Sequence, residues 1–165
     1  MTGRGRFILP AALLALLPLG GCTAGRLTMD ILATREAGSV HYRLDPDGRL
    51  AITPAISTAA GEPAATFHQT RLTDQAIADL KRVIADSRFL IQDPPARGGL
   101  MFGTALRVEI EMGLWRNVVQ LYGERMDSVS RIIAEMNRHL PKEFHLQYDP
   151  PSPAEQQKQL EDFFE

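Results

Sequence analysis

Hydrophobic and polar residues begin to alternate at Leu27. Leu27, Met29 and Ile31 fall on one side of an extended chain, Thr28 and Asp30 on the other, which is the period-2 pattern of a half-buried strand. After a turn around Ala37–Ser39, Val40, Tyr42 and Leu44 alternate with His41 and Arg43. The stretch Asp45-Pro46-Asp47-Gly48 then returns the chain to Leu50 and Ile52, because Pro46 fixes φ and Gly48 admits positive φ. Residues 53–65 are small, polar and unpatterned and predict a loop, and Thr66–Leu72 predicts a further strand.

A helix follows. Thr73 is its N-cap, Leu72 staples onto Ile77, and Ala76, Ile77, Leu80, Val83 and Ile84 form one apolar stripe. Arg82 and Asp86, one turn apart, predict an exposed ion pair. Residues 87–103 read as a glycine-rich loop. The alternation then returns, with Leu106, Val108, Ile110 and Met112 on one side and Arg107, Glu109 and Glu111 on the other. Gly113 and Leu114 fit a two-residue II′ turn with glycine first. That turn fixes a register: Met112 faces Trp115, Glu111 faces Arg116, Val108 faces Val119 and Leu106 faces Leu121, so apolar meets apolar and acid meets base. Trp115 is thereby expected to pack beside the helix stripes, and Glu109 and Glu111 to stand in solvent.

The last helix has Asp127 or Ser128 as its cap, Val129, Ile132, Ile133, Met136 and Leu140 as its stripe, and Pro141 as its stop. Phe144–Asp149 alternates briefly and suggests a final strand. The fold class these elements predict is α+β: a mainly antiparallel sheet of about five strands with two helices packed on one face, in successive strand-strand-helix blocks. The single domain spans residues 27–148. A Pro-rich tail, 149–165, carries Leu160, Phe163 and Phe164 and is expected to be mobile.

The first 21 residues follow a different pattern. Arg4 and Arg6 precede the apolar run Phe7–Gly20, and small residues lead to Cys22, the order of a secretory signal. About 15 residues separate Arg6 from Cys22, against roughly 20 needed to span a bilayer. At Leu19-Gly20-Gly21-Cys22 the sequence resembles the lipobox of bacterial lipoproteins. The resemblance covers residues 1 to about 23. It implies a cleaved signal peptide (1–21), a lipidated tether (22–26), and a Cys22 that carries lipid on sulfur and a fatty acyl group such as palmitate on its new amino terminus. Thr23 after the cysteine, where aspartate would favour the inner membrane, implies the outer membrane facing the periplasm.

Composition narrows the function classes. Removing the signal, which holds two arginines and no acid, takes the net charge from -2 to -4, so no basic surface points to nucleic acid. Cys22 is the one cysteine; no internal disulfide can form, and its lipidation leaves no thiol for catalysis. His41, His68, His139 and His145 lack metal-ligand spacing, Asp45–Gly48 lacks the remaining ligands of a calcium loop, and Ser128 and Ser130 lack a nucleophile setting. No catalytic, metal or cofactor residues are assigned. The expected function is that of a non-enzymatic binding or assembly module of the cell envelope, anchored to the membrane through Cys22. Leu100, Met101 and Phe102, flanked by Gly98, Gly99 and Gly103, are its candidate contact with an envelope protein partner. Two alternatives stay open: an envelope hydrolase whose carboxylates and histidine meet only in three dimensions, and a small protease-inhibitor-like domain, whose layout the strand-strand-helix order resembles.

Overall fold

The computed structural model describes residues 25–35, 38–55, 66–94, 105–148, 150, 158 and 161. Six strands, β1 (Leu27–Arg35), β2 (Gly38–Leu44), β3 (Arg49–Pro54), β4 (His68–Arg71), β5 (Ala105–Met112) and β6 (Trp115–Tyr122), and two helices, α1 (Asp74–Asp86) and α2 (Asp127–Asn137), form an α+β fold. The strands make one antiparallel sheet in the order β4-β3-β2-β1-β5-β6. It has six strands where about five are expected from the sequence. The strand expected within Thr66–Leu72 is the four-residue β4, which pairs His68 with Ile52 and Thr70 with Leu50 along the β3 edge.

β1 lies inside the sheet. Met29, Ile31 and Ala33 face Leu44, Tyr42 and Val40 on one side and Ile110, Val108 and Leu106 on the other. The even-spaced apolar positions of five strands thus share one face, and together with the stripes of both helices they form a single core. Ile31, Leu50, Leu80, Ile84, Val108 and Ile132 are fully enclosed there; burial stabilises each such side chain by about 1.5–3 kcal/mol. α1 carries the chain back from edge strand β4 to β5, beside β1, and touches α2.

The turns follow the sequence closely. Gly48 has φ +82° at the end of the β2–β3 turn. Gly113 has φ +64° while Leu114 has a negative φ, the combination of a II′ turn rather than I′. Every predicted cross-strand pair of that hairpin is present. Thr73 caps α1 by accepting from the Ala76 amide at 3.2 Å.

Five local expectations are corrected. Arg82 pairs with Asp79 at 2.5 Å, one turn back, rather than with Asp86. Residues 87–94 are built, not loose: Arg88 ends α1 in the left-handed conformation, and Phe89–Ile91 forms a 3₁₀ turn that drives the Phe89 ring fully into the core. α2 is capped by Met126 with no side-chain hydrogen bond; the Ser128 hydroxyl instead donates to Gln92 Oε1 at 2.7 Å. Helix α2 ends at Asn137, and Pro141 opens a second 3₁₀ turn, Lys142–Phe144. Residues 145–148 are not a strand, because their backbone is held by a side chain: Asn137 accepts from the Leu146 amide and donates to the Leu146 carbonyl, both at 3.0 Å.

Candidate functional site

Antiparallel pairing gives the domain two unlike ends. Leu27 faces Met112 and Met29 faces Leu44, so the start of β1 lies beside two tight turns, Asp45–Gly48 and Gly113–Leu114. At the other end of β1, Thr34 faces Ala105, where the segment containing residues 95–104 enters the sheet. Eight residue steps from Leu27 to Arg35 put these ends about 26 Å apart.

The first end is where the chain arrives from Cys22. Gly25 runs backbone to backbone with the β5–β6 turn: a methyl group on Gly25 would sit 2.4 Å from Gly113 Cα, and the Gly113 amide donates to the Arg26 carbonyl at 3.1 Å. A cleft of about 280 Å³ opens beside it between Arg26, the β2–β3 turn and the start of α1, lined by Asp45, Asp74, Ile77 and Lys81 among others. Its charges are mixed, two cationic and two anionic side chains.

The face of the sheet away from the core carries a row of alternating charge across four strands. His41 Nε2 lies 2.8 Å from Asp30 Oδ1, Asp30 lies 4.0 Å from Arg107, Arg107 reaches Glu109 at 2.5 Å, and Arg116 reaches Glu109 at 2.5 Å and Glu111 at 3.3 Å. Glu109 is the hub, and it corrects the expectation that both glutamates stand in solvent: its side chain is only 17% exposed. The Arg116 hydrogen bond holds its carboxyl below the ordinary carboxylate range, against the opposing effect of burial and with further help from Arg107.

Three acids and a histidine therefore share one face, yet Arg107 ties Asp30 to Glu109 and Arg116 ties Glu109 to Glu111, so all three carboxylates are already engaged with cations. The other histidines are separate. His68 stacks on Phe144 with ring centroids 4.6 Å apart, His145 Nε2 lies 3.0 Å from the Leu140 carbonyl, and His139 Nε2 is 3.4 Å from Glu135, too long for a good hydrogen bond. Among the described residues no three His, Cys, Asp or Glu side chains converge as metal ligands. Tyr148 donates to the Glu124 carbonyl at 2.5 Å, and burial pushes its phenol up to about 12.

Trp115 is placed differently from its expectation. It faces Met112 as the register requires, but it is 55% exposed and Leu114 beside it is fully exposed. On the same side of β6, Val119 and Leu121 are buried, and across the hairpin so is Met112, so at the tip the core encloses the β5 side chain and leaves the β6 one half exposed. The β6 edge itself is closed in part from within. The Val118 amide is taken by Asn117 Oδ1 at 2.8 Å, and the Tyr122 amide by the Glu124 carboxylate, which removes donors that an edge strand would otherwise offer to another chain.

The expected lipidation site Cys22, the expected contact residues Leu100, Met101 and Phe102, and nearly all of the tail 149–165 lie outside the described residues. Among the described residues no helix is long and apolar enough to cross a membrane. Comparison with protein-family models and with curated proteins finds no match to this chain.

Proposed function

We propose that the protein is a lipid-anchored module of the bacterial cell envelope that holds a protein partner at a distance from the membrane, without catalysing a reaction. The observation that carries the proposal is the polarity of the sheet. The tether enters at Gly25 on one end, and the segment bearing Leu100, Met101 and Phe102 joins β5 at Ala105 on the other. Several acyl chains on Cys22 would make the attachment effectively permanent, since each buried methylene contributes about 0.8 kcal/mol and a single chain holds only marginally. β1 suits such a mooring because it is hydrogen-bonded on both sides, to β2 and to β5.

The Asp30–His41 pair favours the second reading, an envelope hydrolase, because a carboxylate 2.8 Å from an imidazole can orient it for proton transfer. One set of experiments separates the two. Recovery of partner proteins from detergent-solubilised envelopes is compared between the wild type and Met101→Ser/Phe102→Ser, with thermal stability measured in parallel. Loss of a partner at unchanged stability supports the binding module. Unchanged recovery in a stable double variant, or turnover of an envelope polymer that His41→Asn abolishes, contradicts it.

A further inference from the structure

The tip of the β5–β6 hairpin carries two large apolar side chains that the core does not enclose. The second turn position is one that tolerates any small polar residue, yet it holds Leu114, fully exposed, followed by Trp115 at 55% exposure. A lone exposed leucine is ordinary; an adjacent leucine and tryptophan at a projecting turn, left outside the core that encloses Met112 next to them, is a concentrated apolar tip. Its position is what identifies its occupant. The tip is welded to the incoming tether by the Gly25–Gly113 backbone contact and the Gly113 to Arg26 hydrogen bond, and three residue steps from Cys22 to Gly25 span at most about 10 Å.

We propose that Leu114 and Trp115 form a second membrane contact, seated in the headgroup region of the lipid surface beside the anchor. The proposal rests on the lipid-anchor reading of Cys22. With the acyl chains of Cys22 in the hydrocarbon, everything joined to Gly25 is drawn to within about one headgroup layer of it, the interfacial zone being roughly 5–7 Å deep on each side. Tryptophan is favoured in that zone because its ring is apolar over most of its area while its N–H keeps a polar partner. Arg26, exposed beside the tip, suits the phosphate level of the same layer; Arg116 is paired with Glu109 and Glu111. Two contacts instead of one stop the domain from swinging on its tether: the strand axes stand away from the membrane, and the far end points into the periplasm.

Trp115 is the one tryptophan of the chain, so its emission reports this contact without labelling. Full-length lipidated protein is reconstituted into phosphatidylethanolamine/phosphatidylglycerol vesicles, and flotation is scored together with Trp115 emission and its quenching by lipids brominated near the glycerol end of the acyl chain. The expected result is flotation, a blue shift relative to detergent-free Cys22→Ser protein, and strong quenching. Leu114→Asp, which alters only an exposed turn position, keeps flotation and loses most of the shift and the quenching. Flotation with water-like, unquenched emission overturns the membrane contact and leaves the anchor standing; failure to float overturns both. A shift that appears in native envelopes but not in protein-free vesicles assigns the tip to a protein and also overturns the proposal.

Discussion

The side-chain amide of Asn117 holds the carbonyl of Phe89 at 2.6 Å, across 28 residues of chain. The same Nδ2 donates to the Gln92 carbonyl at 2.9 Å, and Oδ1 takes the Val118 amide at 2.8 Å. One polar residue on the core side of an edge strand thus closes that edge and locks the 3₁₀ turn that buries Phe89. Asn117→Val keeps a good strand former and leaves those three groups without their partner. It is expected to lower stability by about 1–3 kcal/mol, the cost of partly buried polar groups left unpaired. Urea unfolding checks this, and a change under about 0.5 kcal/mol, within the range of an ordinary surface substitution, contradicts it.

Val108 and Trp115 lie on one side of the same hairpin and should respond oppositely. Val108 is fully buried between Ile31 and Val119, and Val108→Asp would enclose an unpaired charge; the soluble domain is expected to be unfolded at 25 °C by circular dichroism. Trp115→Ser removes an exposed side chain and should change stability by no more than about 0.5 kcal/mol. In the folded soluble domain Trp115 should emit like tryptophan in water and be readily quenched by iodide. A folded Val108→Asp protein would contradict the burial of that face, and shielded emission from Trp115 would contradict the exposure of the tip.

Gly25 owes its identity to proximity. A methyl group there would meet the Gly113 Cα at 2.4 Å and the Gly113 nitrogen at 2.6 Å, and both are backbone atoms of a paired hairpin that cannot rotate away. Gly25→Ala is expected to cost about 1–3 kcal/mol as overpacking, and to free the Gly113 amide from the Arg26 carbonyl. Amide exchange at Gly113 should accelerate at least tenfold; unchanged protection there would show that the tether and the turn are not coupled.

Stability should fall at both ends of the pH scale, for different groups. The Glu109 carboxyl is depressed in the folded state, chiefly by its hydrogen bond from Arg116. Its contribution is therefore complete above the ordinary carboxylate value of 4.5 and is lost as pH falls through the folded value. Tyr148 is raised from 10.0 to about 12 by burial, so its contribution is complete below pH 10 and is lost as pH rises toward 12. In melting curves taken across pH, Glu109→Gln should flatten the acid side only, and Tyr148→Phe the alkaline side only. An alkaline limb unchanged in Tyr148→Phe would show that the phenol ionises as freely folded as unfolded.

What could be read from the sequence, and what could not, divides by range. Residues two apart on a strand or three and four apart on a helix reveal their faces by period, and so Leu106–Met112, the II′ turn at Gly113 and the stripe from Ala76 to Ile84 were legible, register included. Contacts set by distant partners carry no such period. Ser128 looks like a cap until Gln92, 36 residues away, takes its hydroxyl. Residues 144–149 alternate like a strand, and it is the Asn137 amide that claims the backbone of Leu146. Phe89 sits in a 3₁₀ turn too short to show periodicity, and Asn117 interrupts an apolar register for a reason visible only in its partners. On the outer face, the Glu111–Arg116 pair followed from the turn. The role of Glu109 as hub did not, because Arg116 reaches diagonally and Arg107 along its own strand.

Anchoring at Cys22 is the claim on which the functional account turns, and the mass of the amino-terminal peptide from membrane-purified protein tests it most directly. The account predicts a peptide that begins at Cys22 and carries a diacylglyceryl group on sulfur and a fatty acyl group on nitrogen; Cys22→Ala should abolish both and accumulate precursor uncut after Gly21. A membrane-retained protein whose Cys22 is unmodified, or still joined to Gly21, would contradict it.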